Sequence, residues 1–121
     1  MIVIGEKLNS SIPSVYAAIE KKDSRFVSDL AVKQEEAGAH FLDINAGMFV
    51  EAEEENLRWL MNTVQAVSKL PLVIDTPDPS VALALAKEYR GEKPVINSVT
   101  LEENRFAPMV EAAKTCGAAM V

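Results

Sequence analysis

Four apolar runs in this chain each end beside polar residues that could do chemistry. Glu6 and Asn9 follow MIVIG, Asp43 and Asn45 close FLDIN, Asp75 and Thr76 end the PLVID run, and Asn97 and Ser98 close PVINS. An ionised Asp or Glu only accepts hydrogen bonds, whereas Asn both donates and accepts. Gathered at one place, such residues can match the donor and acceptor edge of a small heterocycle. Each also has a plainer reading. Asp75 could start a loop, Asn45 precedes Ala46-Gly47 and could shape a turn, and the same choice stands for Glu6 and Asn9.

The elements that must position these residues are legible from periodicity. MIVIG (1–5), FLDIN (41–45), PLVID (71–75), PVINS (94–98) and AAMV (118–121) are short and nearly all apolar. Such runs fit parallel strands covered on both faces, because a sheet with one wet face alternates more cleanly. Between them the period shifts to about 3.6. Phe26, Leu30, Ala31 and Gln34 share one face, as do Leu57, Leu60, Met61 and Val64, and again Ala82, Leu85, Ala86 and Tyr89. Ser24 and Asp78 are expected N-caps, Pro79 a first helical residue, and Gly38 and Gly91 helix stops. Thr100 with Glu103 reads as a capping box, and Pro108 as the start of a last helix. Pro13 and Asp23 suggest two helical pieces, 13–22 and 24–37. Glu51, Glu53, Glu54 and Glu55 crowd one helix start, which reads as a solvated acidic first turn.

The order β-α-β-α-β-α-β-α-β implies right-handed crossovers and a parallel sheet, either doubly wound and open or closed as a (β/α)8 barrel. GEKLNSS stands after the first strand where a nucleotide fold would carry G-x-G-x-x-G. All the polar positions named above lie at C-terminal strand ends, which is the active rim of a barrel.

Composition narrows the partners. The chain has 121 residues, 49% of them hydrophobic, and a net charge of −6. Its Lys and Arg residues are scattered, so neither nucleic acid nor an anionic membrane is an expected partner. No run reaches the ~18 apolar residues of a membrane span, and the N-terminus lacks signal-peptide character, so a cytoplasmic protein is expected. Cys116 and His40 are each the only residue of their kind. Cys116 reads as a small core residue, His40 as a residue before a strand, and no metal site is expected. Trp59 is expected to pack between helices.

IGEKLN, QEEAGAHFLDINAG, WLMNTVQAVSKLPLVIDTPDP and VINSVT together resemble the methyltetrahydrofolate:corrinoid methyltransferases, from residue 1 to residue 121. Related pterin-binding barrels are the folate module of cobalamin-dependent methionine synthase and dihydropteroate synthase. The chain departs from the latter, with EKLNSS and NAGMFVEA where that enzyme has an N-x-T-P-D-S-F-type stretch and a Ser-Thr-Arg-Pro element. That departure disfavours a condensing enzyme. The resemblance implies an α/β fold of TIM-barrel type, of which this chain holds about the first half, 1–121, with five parallel strands.

It further implies that Asp75 and Asn97 contact the pterin ring, with Asp43, Asn45, Glu6, Asn9 and Ser98 in the same mouth. The substrate would be tetrahydrofolate or methyltetrahydrofolate. No D-x-H-x-x-G corrinoid-binding motif occurs, so cobalamin would arrive on a partner corrinoid protein. The direction of methyl transfer is open. A half barrel leaves a sheet edge and an apolar interior uncovered. The chain is therefore expected either to belong to a longer polypeptide or to form a homo-oligomer such as a dimer. A non-catalytic fragment is the alternative reading.

Overall fold

A computed structural model describes residues 1–91 and 94–97, and the backbone of residues 119–120. Five strands form one sheet in chain order: β1 (Ile4–Asn9), β2 (Phe41–Asn45), β3 (Leu72–Asp75), β4 (Val95–Asn97) and β5 (Ala119–Met120). Every neighbouring pair is parallel. Helices α1 (Pro13–Glu20) and α2 (Ser24–Glu36) fill the first crossover, α3 (Glu53–Gln65) the second and α4 (Pro79–Glu88) the third. This is the expected barrel-type βα order. The Thr100–Glu103 box, Pro108 and Cys116 lie outside the described residues.

The register explains how one strand serves two surfaces. Leu42 pairs with Leu72, and Ile44 with Ile74 and so with Ile96. These residues are fully buried. Leu8, Leu42, Ile44, Leu72 and Ile74 pack with Val27 and Ala31 of α2, Leu57, Leu60, Met61 and Val64 of α3, and Leu85 of α4. Each such large side chain removed from water favours folding by ~1.5–3 kcal/mol. Side chains alternate along a strand, so Asp43, Val73, Asp75, Val95 and Asn97 point to the opposite face, the barrel interior.

Several local expectations change. β1 begins at Ile4, not Met1, and runs on through the polar residues to Asn9. Its register shifts between Gly5 and Leu8, so strict alternation fails there. Lys7 N in this irregular stretch donates to Gln34 Oε1 at 3.1 Å. A Cβ on Gly5 would lie 2.5 Å from that same oxygen, so any larger residue there has to displace the Gln34 side chain. Val27, not Phe26, leads the buried face of α2, and Phe26 is exposed. Asp23 rather than Ser24 caps α2, its carboxylate accepting from Phe26 N at 3.1 Å. Asp78 caps α4 as expected, and Gly38 and Gly91 adopt positive φ of 102° and 106° beyond helix ends. His40 Nδ1 accepts from Val3 N at 2.9 Å, a structural role. Trp59 packs against the core with Lys22 Nζ 5.4 Å from its ring centre.

Candidate functional site

The turns that follow β1 and β2 are tied together by short polar residues. Asn9 ends β1 and its Oδ1 accepts from Ser11 N at 2.8 Å, starting the turn into α1. Ser10, which sequence reasoning missed, is buried. Its hydroxyl donates to Asn45 Oδ1 at 3.1 Å and accepts from Met48 N at 3.1 Å. Asn45 Oδ1 also accepts from Gly47 N at 2.9 Å. The turn-shaping reading of Asn45 therefore describes what its oxygen does. A 3-10 helix (Gly47–Ala52) follows, and Phe49 stacks on Tyr16 of α1 with ring centres 4.4 Å apart. At the end of β3, Thr76 N donates to Asn97 O at 2.7 Å, which fixes β3 and β4 side by side at the rim.

Inside this frame Glu6, Asn9, Asp43 and Asp75 line one cleft of about 270 Å3, together with Ser11 and Ile12. Asp43 is 4% exposed, with the Asp75 carboxyl and the Asn97 carboxamide beside its side chain. Burial, the Asp75 charge and its hydrogen bond, and the charge of Glu6 push the Asp43 carboxyl up to about 8, opposed by the Asn97 hydrogen bond. The mouth is thus an acceptor-rich floor with one carboxyl inclined to stay protonated. Five expected site residues, Glu6, Asn9, Asp43, Asp75 and Asn97, come together. Asn45 supports the turn beside them, and Ser98 lies outside the described residues.

A second cleft, about 360 Å3, opens outside the first between Gly47, Val50, Glu53 and the Pro77–Pro79 turn. Glu53 corrects the reading of a solvated acidic helix start. It is 7% exposed, and its Oε2 is buried without a hydrogen-bond partner. Burial raises its carboxyl above the usual range, with Asp78 and Asp75 adding to the rise and the Thr76 hydrogen bond opposing it. Nothing in the run Glu51–Glu55 singled out this member, because the distinction depends on how α3 meets the β3 turn. Val50 holds a left-handed backbone, φ 51°, that β-branched residues rarely adopt. Among the described residues no group of three or more His, Cys, Asp or Glu is placed to hold a metal ion. No helix among them is long and apolar enough to cross a membrane.

The chain has identifiable relatives. It is 47% identical over 107 residues to the methylcorrinoid:tetrahydrofolate methyltransferase of Eubacterium limosum, covering 88% of this chain and 39% of that protein. It is 31% identical over 127 aligned positions to the methionine synthase of Mycobacterium leprae (strain TN), and 29% to that of Mycobacterium tuberculosis (strain ATCC 25618 / H37Rv). Those two alignments span the whole chain but only 10% and 11% of the relatives. The model of the pterin binding enzymes matches residues 5–121. Strand order, an acceptor-lined mouth at the C-terminal strand ends and this match agree: the chain belongs to the pterin binding enzyme family.

Proposed function

We propose that the polypeptide carrying this chain is a methyltransferase that moves a methyl group between N5 of tetrahydrofolate and the cobalt of a corrinoid held by a partner protein. The observation that carries the reading is the convergence of Glu6, Asn9, Asp43 and Asp75 on one cleft at the strand ends, with Asn97 beside Asp43. A reduced pterin presents N–H donors along one edge, and buried carboxylate oxygens and a carboxamide are their natural complement. The first named relative acts between methylcorrinoid and tetrahydrofolate, which supports the same substrate pair here.

In this reading the residues of the chain bind and orient. Asp75 and Asn97, on adjacent strands in register, hold the pterin edge, while Glu6 and Asn9 bound the mouth on the β1 side. The corrinoid supplies the methyl-accepting or methyl-donating cobalt. A methyl group leaving N5 leaves its electron pair on nitrogen, which must then take up a proton or a strong hydrogen bond. Rate enhancement comes from positioning and from hydrogen bonding to developing charge rather than from a nucleophile on this chain. The exposed Ile2 and Val3 before β1 and Ile4 at its start mark where further barrel structure would pack, which supports assigning residues 1–121 to the N-terminal part of a barrel domain.

Calorimetric titration of tetrahydrofolate into the polypeptide, beside its Asp75→Ala variant, tests the reading. The expected loss is about 1–3 kcal/mol, from leaving buried donors unpaired. Unchanged folate affinity in a folded Asp75→Ala protein would overturn the assignment.

A further inference from the structure

The second cleft, about 360 Å3, has an unpaired group in its lining. Glu53 borders it, is 7% exposed, and buries its Oε2 without a hydrogen-bond partner. A carboxyl oxygen buried and left unpaired costs free energy, so a partner arriving from outside would be rewarded there. The last torsion of a glutamate is soft, and a turn about it brings that oxygen to the cleft at little cost. The other carboxyl in the lining is already in use. Asp78 Oδ1 accepts from Ser80 N at 2.9 Å and from Ser80 Oγ at 2.7 Å, capping α4. The walls are apolar and held in place. Pro77 and Pro79 have a fixed backbone, and between them Asp78 N donates to Thr76 Oγ1 at 3.1 Å. On the opposite side Gly47 N and Met48 N are tied to Asn45 Oδ1 and Ser10 Oγ, and Val50, 75% exposed, borders the cleft. Gly47 follows the end of β2 and Pro77 the end of β3, so the cleft flanks the pterin mouth.

The group that suits this lining both donates and accepts. Burial favours the neutral form of Glu53, and a neutral carboxyl accepts an N–H at one oxygen while donating O–H from the other, the complement of a primary carboxamide. The ionised form still accepts the amide N–H. An ammonium or guanidinium group, by contrast, fits only the ionised form, and the anionic tail of a folate is a poor match because the charged lining residues among those described, Glu53 and Asp78, are acidic. A corrin ring carries primary carboxamides around its rim, interleaved with methyl groups. We propose that the cleft between Val50 and Pro77–Pro79 seats one peripheral carboxamide of the corrinoid, with Glu53 as its hydrogen-bonding partner and the valine and proline walls against the neighbouring methyl groups. The identity of the ligand rests on the methyl-transfer reading. Glu53 then orients the macrocycle at its edge and takes no part in bond making.

Absorbance titration of the polypeptide with two free corrinoids tests the contact without a partner protein or turnover. Dicyanocobinamide keeps the primary carboxamides, whereas the heptamethyl ester of cobyrinic acid carries esters that have no N–H. Cobinamide should bind saturably and about tenfold more tightly than the ester, the worth of one well-buried hydrogen bond. Glu53→Ala should erase that difference, and Glu53→Gln, whose carboxamide also donates and accepts, should keep most of it. Absence of saturable cobinamide binding, equal affinity of the unaltered protein for the two corrinoids, a difference that survives Glu53→Ala, or Glu53→Gln behaving as Glu53→Ala would each overturn the subsite. Tetrahydrofolate affinity should be the same in both variants as in the unaltered protein. A tenfold loss of it in Glu53→Ala would place Glu53 in the folate site and overturn the corrinoid assignment. Selective cobinamide binding by a protein that does not bind tetrahydrofolate would refute the pterin reading while leaving the subsite intact.

Discussion

The two ends of the sheet collect different chemistry. The larger cleft, about 440 Å3, lies at the N-terminal side of β3 among Ser68, Lys69, Pro71, Tyr89 and Arg90. Three of its polar side chains, Gln65, Ser68 and Tyr89, are engaged in holding the fold. Tyr89 Oη accepts from Leu72 N at 3.0 Å, Gln65 Nε2 donates to Arg90 O at 2.7 Å, and Ser68 Oγ donates to Glu35 Oε1 at 2.5 Å. The smaller cleft at the C-terminal ends gathers acidic groups from three strands, with no cation lining it among the described residues. Volume is a poor guide to the site here; the convergence of unneutralised groups is the better one. In barrels generally, the same division separates a stabilising face from a reactive one.

The largest expected test of this contrast is pH. The folded Asp43 pKa is raised to about 8 from an ordinary 3.8. Its contribution to stability is therefore fully present below about pH 4 and is lost as pH rises toward about pH 8, because the folded state holds the proton more tightly. Urea unfolding across that window should show a decline on the order of a few kcal/mol from this group, and Asp43→Asn should remove it. Substitutions at the lower cleft should leave the pH profile as it is.

A smaller effect is expected at the other end. Tyr89→Phe deprives Leu72 N of its acceptor and should cost about 1 kcal/mol of stability, read as a lower urea midpoint, with tetrahydrofolate affinity unchanged. Smallest of all, Arg90→Ala removes an exposed side chain whose backbone, not its guanidinium, meets Gln65. Stability should stay within about 0.5 kcal/mol, with no change in folate binding. A folate effect from either substitution would blur the division between the two ends.

The parts of the molecule legible in the sequence were those with unbroken patterns. LDI and LVI are buried on both faces and VIN on one, so their apolar runs mark β2, β3 and β4 directly. Asp75 and Asn97 were visible because each ends such a run. β1 was displaced because the register shift puts Glu6 and Lys7 inside the strand, while the apolar Met1 and Ile2 are exposed. The closeness of Asp43 to Asp75 was not legible, since it depends on the offset between neighbouring strands, which no single segment encodes. Glu53 was hidden for a similar reason. Four acidic residues within five positions look alike until the β3 turn closes over one of them.

The strand order has a consequence for how the polypeptide is made. Each strand pairs with the one that precedes it in the chain, and the described helices α1 to α4 pack back on the strands they follow. Contacts therefore accumulate between segments a few tens of residues apart, which keeps loop-closure costs low compared with pairings between distant ends. Emerging from a ribosome, β1 and β2 can dock with α2 before β3 exists, and β3 can then add to an edge already in place. The carboxyl pair forms only when β3 arrives. In the nascent chain the helix-facing core comes first, and the acidic mouth is assembled onto a layer that is already packed.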